Sequence, residues 1–163
     1  MSTRSENTVT INHPAKKVHE ALTTKAYWEH IVANLSPEAG EVNEFTGNTA
    51  TLFEVLPTTL LPEAVRAMVS QALKVKRVVN IGGLEGESAD LDFTADVKGT
   101  PVDFKGDIKL SGEGETTSLA YTTDVTINIP MMGAAIEPKV AEALKELFEN
   151  EANLAEQWIT DNL

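Results

Sequence analysis

The spacing of apolar residues changes once, near the C-terminus of the chain. From residue 116 to residue 129, apolar and polar side chains alternate, which predicts a long strand with one buried face. Beyond residue 133, apolar side chains recur at helical spacing, which predicts a single helix of about 28 residues, about 42 Å long. Its apolar stripe consists of Ile136, Val140, Leu144, Leu147, Phe148, Leu154, Ala155, Trp158 and Ile159. So long a stripe requires an equally long apolar partner, and only a sheet built from the preceding strands provides one.

The preceding part of the chain predicts an antiparallel meander. Alternation is most regular in residues 89–98 and 102–110, where the polar positions are mostly charged, so one face of the sheet should meet water. The pair Gly47-Asn48 and the run from Gly112 to Gly114 are typical of hairpin turns. The predicted strands are residues 8–12, 41–46, 49–56, 74–82, 89–98, 102–110 and 116–129.

Three further segments have helical spacing. Residues 15–24 and 26–35 predict two short helices directly after the first strand, and Pro14 suits a first helical turn. Residues 57–73 interrupt the meander with an amphipathic helix, which we expect at a sheet edge or over an open end. Because no repeat or linker divides the chain, we predict that residues 1–163 form a single domain.

Composition narrows the possible partners and the compartment. The chain has 163 residues and no cysteine, which excludes disulfides and thiolate metal sites and fits a reducing, cytoplasmic location. Its start lacks the apolar segment of a secretory signal, and no run approaches the ~18 apolar residues of a membrane span. Acidic residues outnumber basic ones 25 to 13, so nucleic acid and anionic membranes are disfavoured as partners, and stable membrane insertion is not expected.

The order of elements resembles the helix-grip fold of the START-like superfamily, also called SRPBCC, which includes polyketide cyclase-like and birch-allergen-like proteins. The residues that carry the resemblance at the start are Val9-Thr10-Ile11-Asn12-His13-Pro14-Ala15, Val18, Ala21-Leu22-Thr23 and Tyr27-Trp28. Those at the end, which look like a branch of uncharacterised function, are Val125-Thr126-Ile127-Asn128-Ile129-Pro130, Gly133, Ile136, Leu144, Leu147 and Trp158-Ile159.

This resemblance implies an α+β fold in which a curved seven-stranded antiparallel sheet wraps around the long C-terminal helix. It also implies an internal apolar cavity that holds lipids, sterols, polyketides or other hydrophobic molecules, usually in a carrier and sometimes in an enzyme. Residues 57–73 depart from the plainest members of the superfamily and are a candidate lid.

Two charged residues fall on apolar faces. Arg77 shares its strand parity with Val75 and Val79, and Glu151 lies near the centre of the helical stripe. Burying either charge alone would cost several kcal/mol, so each needs a partner. One hypothesis is that Arg77 and Glu151 meet inside, as a charged pair or as an anchor for a ligand head group. The alternative is that a bulge turns Arg77 outward and Glu151 reaches water at an open end of the sheet.

Other candidate ligand contacts are mostly apolar. Tyr121 has the inward parity of the last strand, and its hydroxyl would bond either a ligand or the backbone and water. Met68, in the candidate lid, and Met132, before the long helix, would lie near the cavity mouth, where methionine adapts to varied partners. The remaining candidates, expected to line or fill the interior, are Phe93, Phe104, Leu144 and Phe148.

No pattern in the chain predicts a catalytic site, a metal site or a cofactor. His13, His19 and His30 lack the spacing of a zinc motif. The favoured function is binding of a hydrophobic small molecule or lipid as a carrier or by sequestration. A cyclase- or isomerase-type enzyme using Arg77, Tyr121 or Glu151 is one alternative, and a chaperone-like or regulatory protein-binding module is another.

Overall fold

The structure is a computed structural model that describes residues 2–35, 40–56, 73–97, 102–128 and 133–163. Within those ranges the chain forms seven strands and three helices. The strands are β1 Ser2–Ile11, β2 Glu41–Phe45, β3 Thr49–Leu56, β4 Leu73–Ile81, β5 Ser88–Val97, β6 Val102–Glu113 and β7 Thr116–Ile127. The helices are α1 Ala15–Leu22, α2 Lys25–Asn34 and α3 Gly133–Asn162.

The strands form one curved antiparallel sheet with the order β1-β7-β6-β5-β4-β3-β2. Strand β1 closes one edge by pairing with β7, while the other strands follow one another as a meander. The buried face of the sheet and one stripe of α3 share a core, and α1 and α2 complete it at one end. This arrangement confirms the predicted α+β helix-grip fold.

The alternating pattern of the central strands explains which face is inside. Every second residue of β5 is buried from Ala89 to Val97, and the residues between them are exposed. The predicted hairpin turns contain Gly47 and Gly114, whose φ angles of 97° and 62° suit a residue without a side chain. Across the described ranges, no helix is long and apolar enough to cross a membrane.

Strand β1 is longer than the sequence pattern indicated. It begins at Ser2. The sequence pattern predicted a start at residue 8, because residues 2–7 are polar and show no apolar alternation. Its pairing with β7 is nevertheless continuous, from Ser2 opposite Thr126 to Ile11 opposite Thr117. Polar residues are tolerated on the inner face there because they have partners: the Thr3 hydroxyl donates to Glu137 of α3 over 2.9 Å.

The long helix is hydrogen-bonded to β1 and β7 near its start and to the residues that follow β1 near its end. Near its start, the buried carboxylate of Glu137 accepts the Thr3 hydroxyl and, over 3.0 Å, the backbone N–H of Ile127 at the end of β7. Near its end, Glu156 accepts the backbone N–H of Asn12 over 2.7 Å, and His13 contacts the Thr160 hydroxyl at 2.9 Å. These bonds fix how α3 lies across the concave face, and therefore which side chains meet in between.

The predicted helix over residues 57–73 lies outside the described residues, except for Leu73, which begins β4. The predicted hinge over residues 130–133 also lies outside them, except for Gly133, which begins α3. The other predicted boundaries agree with the structure within a few residues. The largest differences besides β1 are at β6, which continues to Glu113, and at β7 and α1, which end at Ile127 and Leu22.

Gly106 makes room for the aromatic interior and provides a test of its packing. A Cβ at this position would clash with the carbonyl oxygen of Thr122 and would lie 2.9 Å from Cε1 of Phe93, the register partner of Gly106. We predict that Gly106→Ala lowers the free energy of unfolding by about 1–3 kcal/mol, measured by urea denaturation. Gly83→Ala is the matched control, because a Cβ there meets nothing within 4 Å. Equal stability of the two variants would contradict the tight packing at Phe93.

Candidate functional site

Arg77 and Glu151 meet in the interior. Nη1 of Arg77 donates to Oε2 of Glu151 over 2.9 Å, and Nη2 donates to Oε1 over 2.7 Å, so the pair is bidentate. Both residues are 6% exposed. Strand β4 pairs with both neighbours in continuous register, so no bulge turns Arg77 outward. The structure therefore supports the hypothesis that the two charges meet inside and excludes the alternative that both reach water.

Glu54 of β3 is the third member of this cluster and was not among the predicted site residues. Its Oε1 atom lies 2.8 Å from Nη2 of Arg77, and the residue is 5% exposed. Leu52 is the register partner of Arg77, so Glu54 is a diagonal neighbour on the same face of the sheet. The signal was present in the sequence, because Glu54 shares the buried parity of Ala50 and Leu52.

Aromatic side chains from α2 cover the guanidinium. The Arg77 Cζ atom lies 5.8 Å from the ring centre of Trp28, a cation–π distance. The indole N–H of Trp28 donates to the carbonyl oxygen of Leu22 over 2.8 Å, which holds the ring in place. Tyr27 packs edge-on against both Trp28 and Trp158 of α3, with ring centres 5.0 and 5.6 Å away. The charged cluster therefore lies against the Trp28 ring and is largely excluded from water.

Most of the remaining interior is filled by a second aromatic group. The rings of Tyr121 and Phe148 are stacked, with centres 4.2 Å apart and planes 13° apart. Phe93 makes edge contacts with both of them and with Phe104, at 6.0 to 6.4 Å between ring centres. These contacts leave little empty space between β5, β7 and α3.

A small cavity remains where the two groups of side chains meet. Its volume is about 30 Å³, which is the space of about one water molecule. Pockets for drug-sized ligands are about 300–1,000 Å³, so in this state the interior is largely filled. Its lining includes Trp28, Arg77, Phe93, Tyr121, Phe148 and Glu151. The expected hollow is therefore at the predicted place, between the sheet and α3, but side chains occupy most of it.

The electrostatics of the site follow from burial and from the excess of carboxylates. Burial alone would lower the pKa of Arg77, but Glu151 and then Glu54 outweigh it, so the pKa is raised and the guanidinium stays charged. Burial, reinforced by the charge of Glu151, raises the pKa of Glu54 above its ordinary value of 4.5, although Arg77 opposes the shift. Burial also raises the pKa of Tyr27 and of Tyr121, so both hydroxyls remain protonated and can donate.

Several buried polar atoms of the site have no hydrogen-bond partner within the part of the chain that the structure describes. They include Nε of Arg77 and Oε1 of Glu54, whose short contact with Nη2 has poor hydrogen-bond direction. The hydroxyl of Thr123, two residues from Tyr121 on the same strand face, is a third. An unpaired buried donor such as the Arg77 Nε–H is costly, so a water molecule or a ligand oxygen in the cavity would be stabilised there.

The structure brings five of the nine predicted ligand contacts together at the cavity: Arg77, Phe93, Tyr121, Phe148 and Glu151. Phe104 reaches it only indirectly, through its edge contact with Phe93. Leu144 is buried in the core but does not line the cavity. Met68 and Met132 lie outside the described residues. Glu54 was not predicted as a member of the site, and Tyr27 and Trp28 were named only among the residues that carry the family resemblance.

Comparison with known proteins identifies a family without a known activity. The family described as "Protein of unknown function (DUF2505)" matches residues 6–159 of the chain. No curated protein matches.

Solved structures with the same fold extend over nearly the whole chain. A protein from Thermus thermophilus is 16% identical with a TM-score of 0.65, and 99% of this chain and 98% of that chain are covered. The Zhui aromatase/cyclase from a Streptomyces species is 14% identical with a TM-score of 0.58, covering 99% and 93%. A START superfamily protein from Mycobacterium smegmatis is 11% identical with a TM-score of 0.58, covering 94% and 97%. At these identities the likeness concerns the fold, and it confirms the predicted START-like resemblance.

Replacing Arg77 and replacing Glu151 should lower the free energy of unfolding by different amounts. Arg77→Met leaves two buried carboxylates without a cation and should lower the free energy of unfolding by about 3–5 kcal/mol. Glu151→Leu leaves Arg77 paired with Glu54, so its effect should be smaller by at least about 1 kcal/mol. Both are measured by urea denaturation. Arg4→Met is the control, because Arg4 is largely exposed and its pair with Asp124 should contribute little to stability. Equal losses for Arg77 and Arg4 would contradict a buried cluster.

The raised pKa of Glu54 predicts a pH dependence of stability. The folded protein holds the Glu54 proton more tightly than the unfolded chain does. The protonated Glu54 side chain therefore contributes fully to stability below pH 4.5, and this contribution is lost as the pH rises through the raised pKa. Glu54→Gln removes the titrating group. The unfolding free energy of Glu54→Gln should therefore rise relative to wild type as pH increases from about 5 to about 8.

The matched control for this measurement is Glu41→Gln, which changes an exposed glutamate of the neighbouring strand. This control measures how much pH dependence the loss of a surface carboxylate produces, and Glu54→Gln should exceed it. A pH dependence of Glu54→Gln no larger than that of the control would show that Glu54 does not titrate in a buried site.

Proposed function

We propose that this chain, which belongs to the family of proteins of unknown function DUF2505, binds a hydrophobic small molecule or lipid between the sheet and α3. Its role would be that of a carrier or of a protein that sequesters its ligand. We place it in the cytoplasm, because the lack of cysteine fits a reducing compartment.

The observation that carries this proposal is a buried donor at the wall of an apolar interior. Arg77 lines the cavity, is held in place by Glu151 and Trp28, and keeps an Nε–H without a partner in the described structure. The other walls are largely aromatic and aliphatic. Ligand sites commonly combine such apolar walls with a few placed polar groups, which fix the orientation of the ligand.

Binding must displace side chains, because the cavity of about 30 Å³ does not hold a hydrophobic ligand as it stands. The stacked pair of Tyr121 and Phe148 is the group to move, since both rings line the cavity and one is on the sheet and the other on α3. Removing apolar ligand surface from water contributes about 25 cal/mol per Å², so burial of a lipid-sized molecule can offset the lost ring contacts.

A cyclase- or isomerase-type enzyme is a second candidate, favoured by one feature of the cavity. Tyr121, whose hydroxyl stays protonated, lines the same cavity as Arg77 and Glu151. These are groups that can stabilise an enolate or move a proton. One of the similar solved structures is described as an aromatase/cyclase. Chemical conversion of a bound ligand by the purified protein would favour this candidate over a carrier.

The test uses two alanines of α3 that differ in their relation to the cavity. Ala155 lines the cavity and Ala141 does not, although both are buried. We predict that wild type binds the neutral dye Nile red saturably, and that Ala155→Leu weakens the affinity at least about tenfold because the added side chain fills the site. Ala141→Leu should change the affinity less than about threefold. Fluorescence titration measures all three.

Both substitutions overpack the core, so each variant is first checked for a cooperative unfolding transition. Absence of saturable binding by wild type would refute a hydrophobic ligand site. Equal binding by wild type and a folded Ala155→Leu would show that the dye binds elsewhere.

A further inference from the structure

The ion cluster at the cavity has one cation and two carboxylates. Glu151 occupies both terminal nitrogens of Arg77, and Glu54 contacts Nη2 as well. The cluster therefore carries a net charge of minus one when Glu54 is ionised and zero when Glu54 is protonated. In both states the positive charge of Arg77 is already compensated within the cluster.

Two of the residues that line the cavity offer hydrogen-bond donors. The Arg77 Nε–H has no partner among the described residues, and Tyr121, which lines the same cavity, keeps its hydroxyl protonated. A ligand oxygen that accepts a hydrogen bond fits these groups. It gains a charge-assisted bond from Arg77 without having to bring a charge of its own into the interior.

We propose that this cluster selects neutral ligands: apolar molecules with one accepting oxygen, such as a ketone or an ester, in preference to carboxylates and other anions. The inference rests on the proposed function and adds the polarity class of the ligand. Its physical basis is the compensation of Arg77 by two protein carboxylates inside an aromatic enclosure.

An anionic head group is disfavoured on two grounds. It loses its hydration on entering the interior, which is costly for any ion that does not find an opposite charge there. It also approaches Glu151 and Glu54, and their repulsion is stronger in an interior with little water than in solution. A neutral ketone avoids both penalties while keeping the hydrogen bond from Arg77.

The experiment compares two ligands with the same carbon chain length, decan-2-one and decanoate, as competitors of bound Nile red at neutral pH. For wild type we expect decan-2-one to displace the dye at a concentration at least about tenfold lower than decanoate. The double variant Glu54→Gln/Glu151→Gln keeps the shape of both side chains but leaves Arg77 with an uncompensated charge. We expect it to bind decanoate at least as well as decan-2-one.

The matched control is Glu146→Gln/Glu149→Gln, which changes the net charge of the protein equally at two exposed positions of α3. It should keep the preference of wild type. If decanoate competes as well as decan-2-one for wild type, the inference is wrong while the hydrophobic site stands. If neither ligand displaces the dye, the proposed site is wrong and the inference fails with it. The wild-type comparison decides the question even if the double variant does not fold.

Discussion

The bidentate contact between Arg77 of the sheet and Glu151 of the long helix is the interaction on which the interior depends. Each side chain carries a charge that is nearly excluded from water, so neither is stable there without the other. Their meeting requires α3 to lie at one particular height across β4, and the hydrogen bonds of Glu137 and Glu156 near the helix ends hold it there. The helix thereby places one polar pair at a defined position within an otherwise apolar contact.

Much of this arrangement can be predicted from the sequence, because strand parity and helical spacing determine which residues face inward. Arg77 and Glu151 are recognisable as charges on apolar faces, and Glu54 follows from the same parity rule applied to β3. The polar stretch of β1 is not recognisable, because its inner residues are stabilised by partners distant in sequence, as Thr3 is by Glu137.

That side chains fill most of the cavity also cannot be predicted from the sequence. It depends on how the rings of Tyr121 and Phe148 stack across the gap between the sheet and the helix, which alternation does not specify. The result is a resting interior with about one water-sized space beside a strong donor. The proposed function requires this stacked pair to separate when a hydrophobic ligand enters, and the proposed preference for neutral ligands follows from the charge of the neighbouring ion cluster.

The central claim is that Arg77 presents a buried N–H to the site. The most direct measurement is an NMR spectrum of the arginine side-chain Nε–H groups, with the Arg77 signal assigned through Arg77→Lys. We predict that the Arg77 signal exchanges slowly with water while that of the exposed Arg4 exchanges rapidly, and that decan-2-one shifts the Arg77 signal saturably. Rapid exchange at Arg77, or a signal that a saturating ligand leaves unchanged, would contradict the claim.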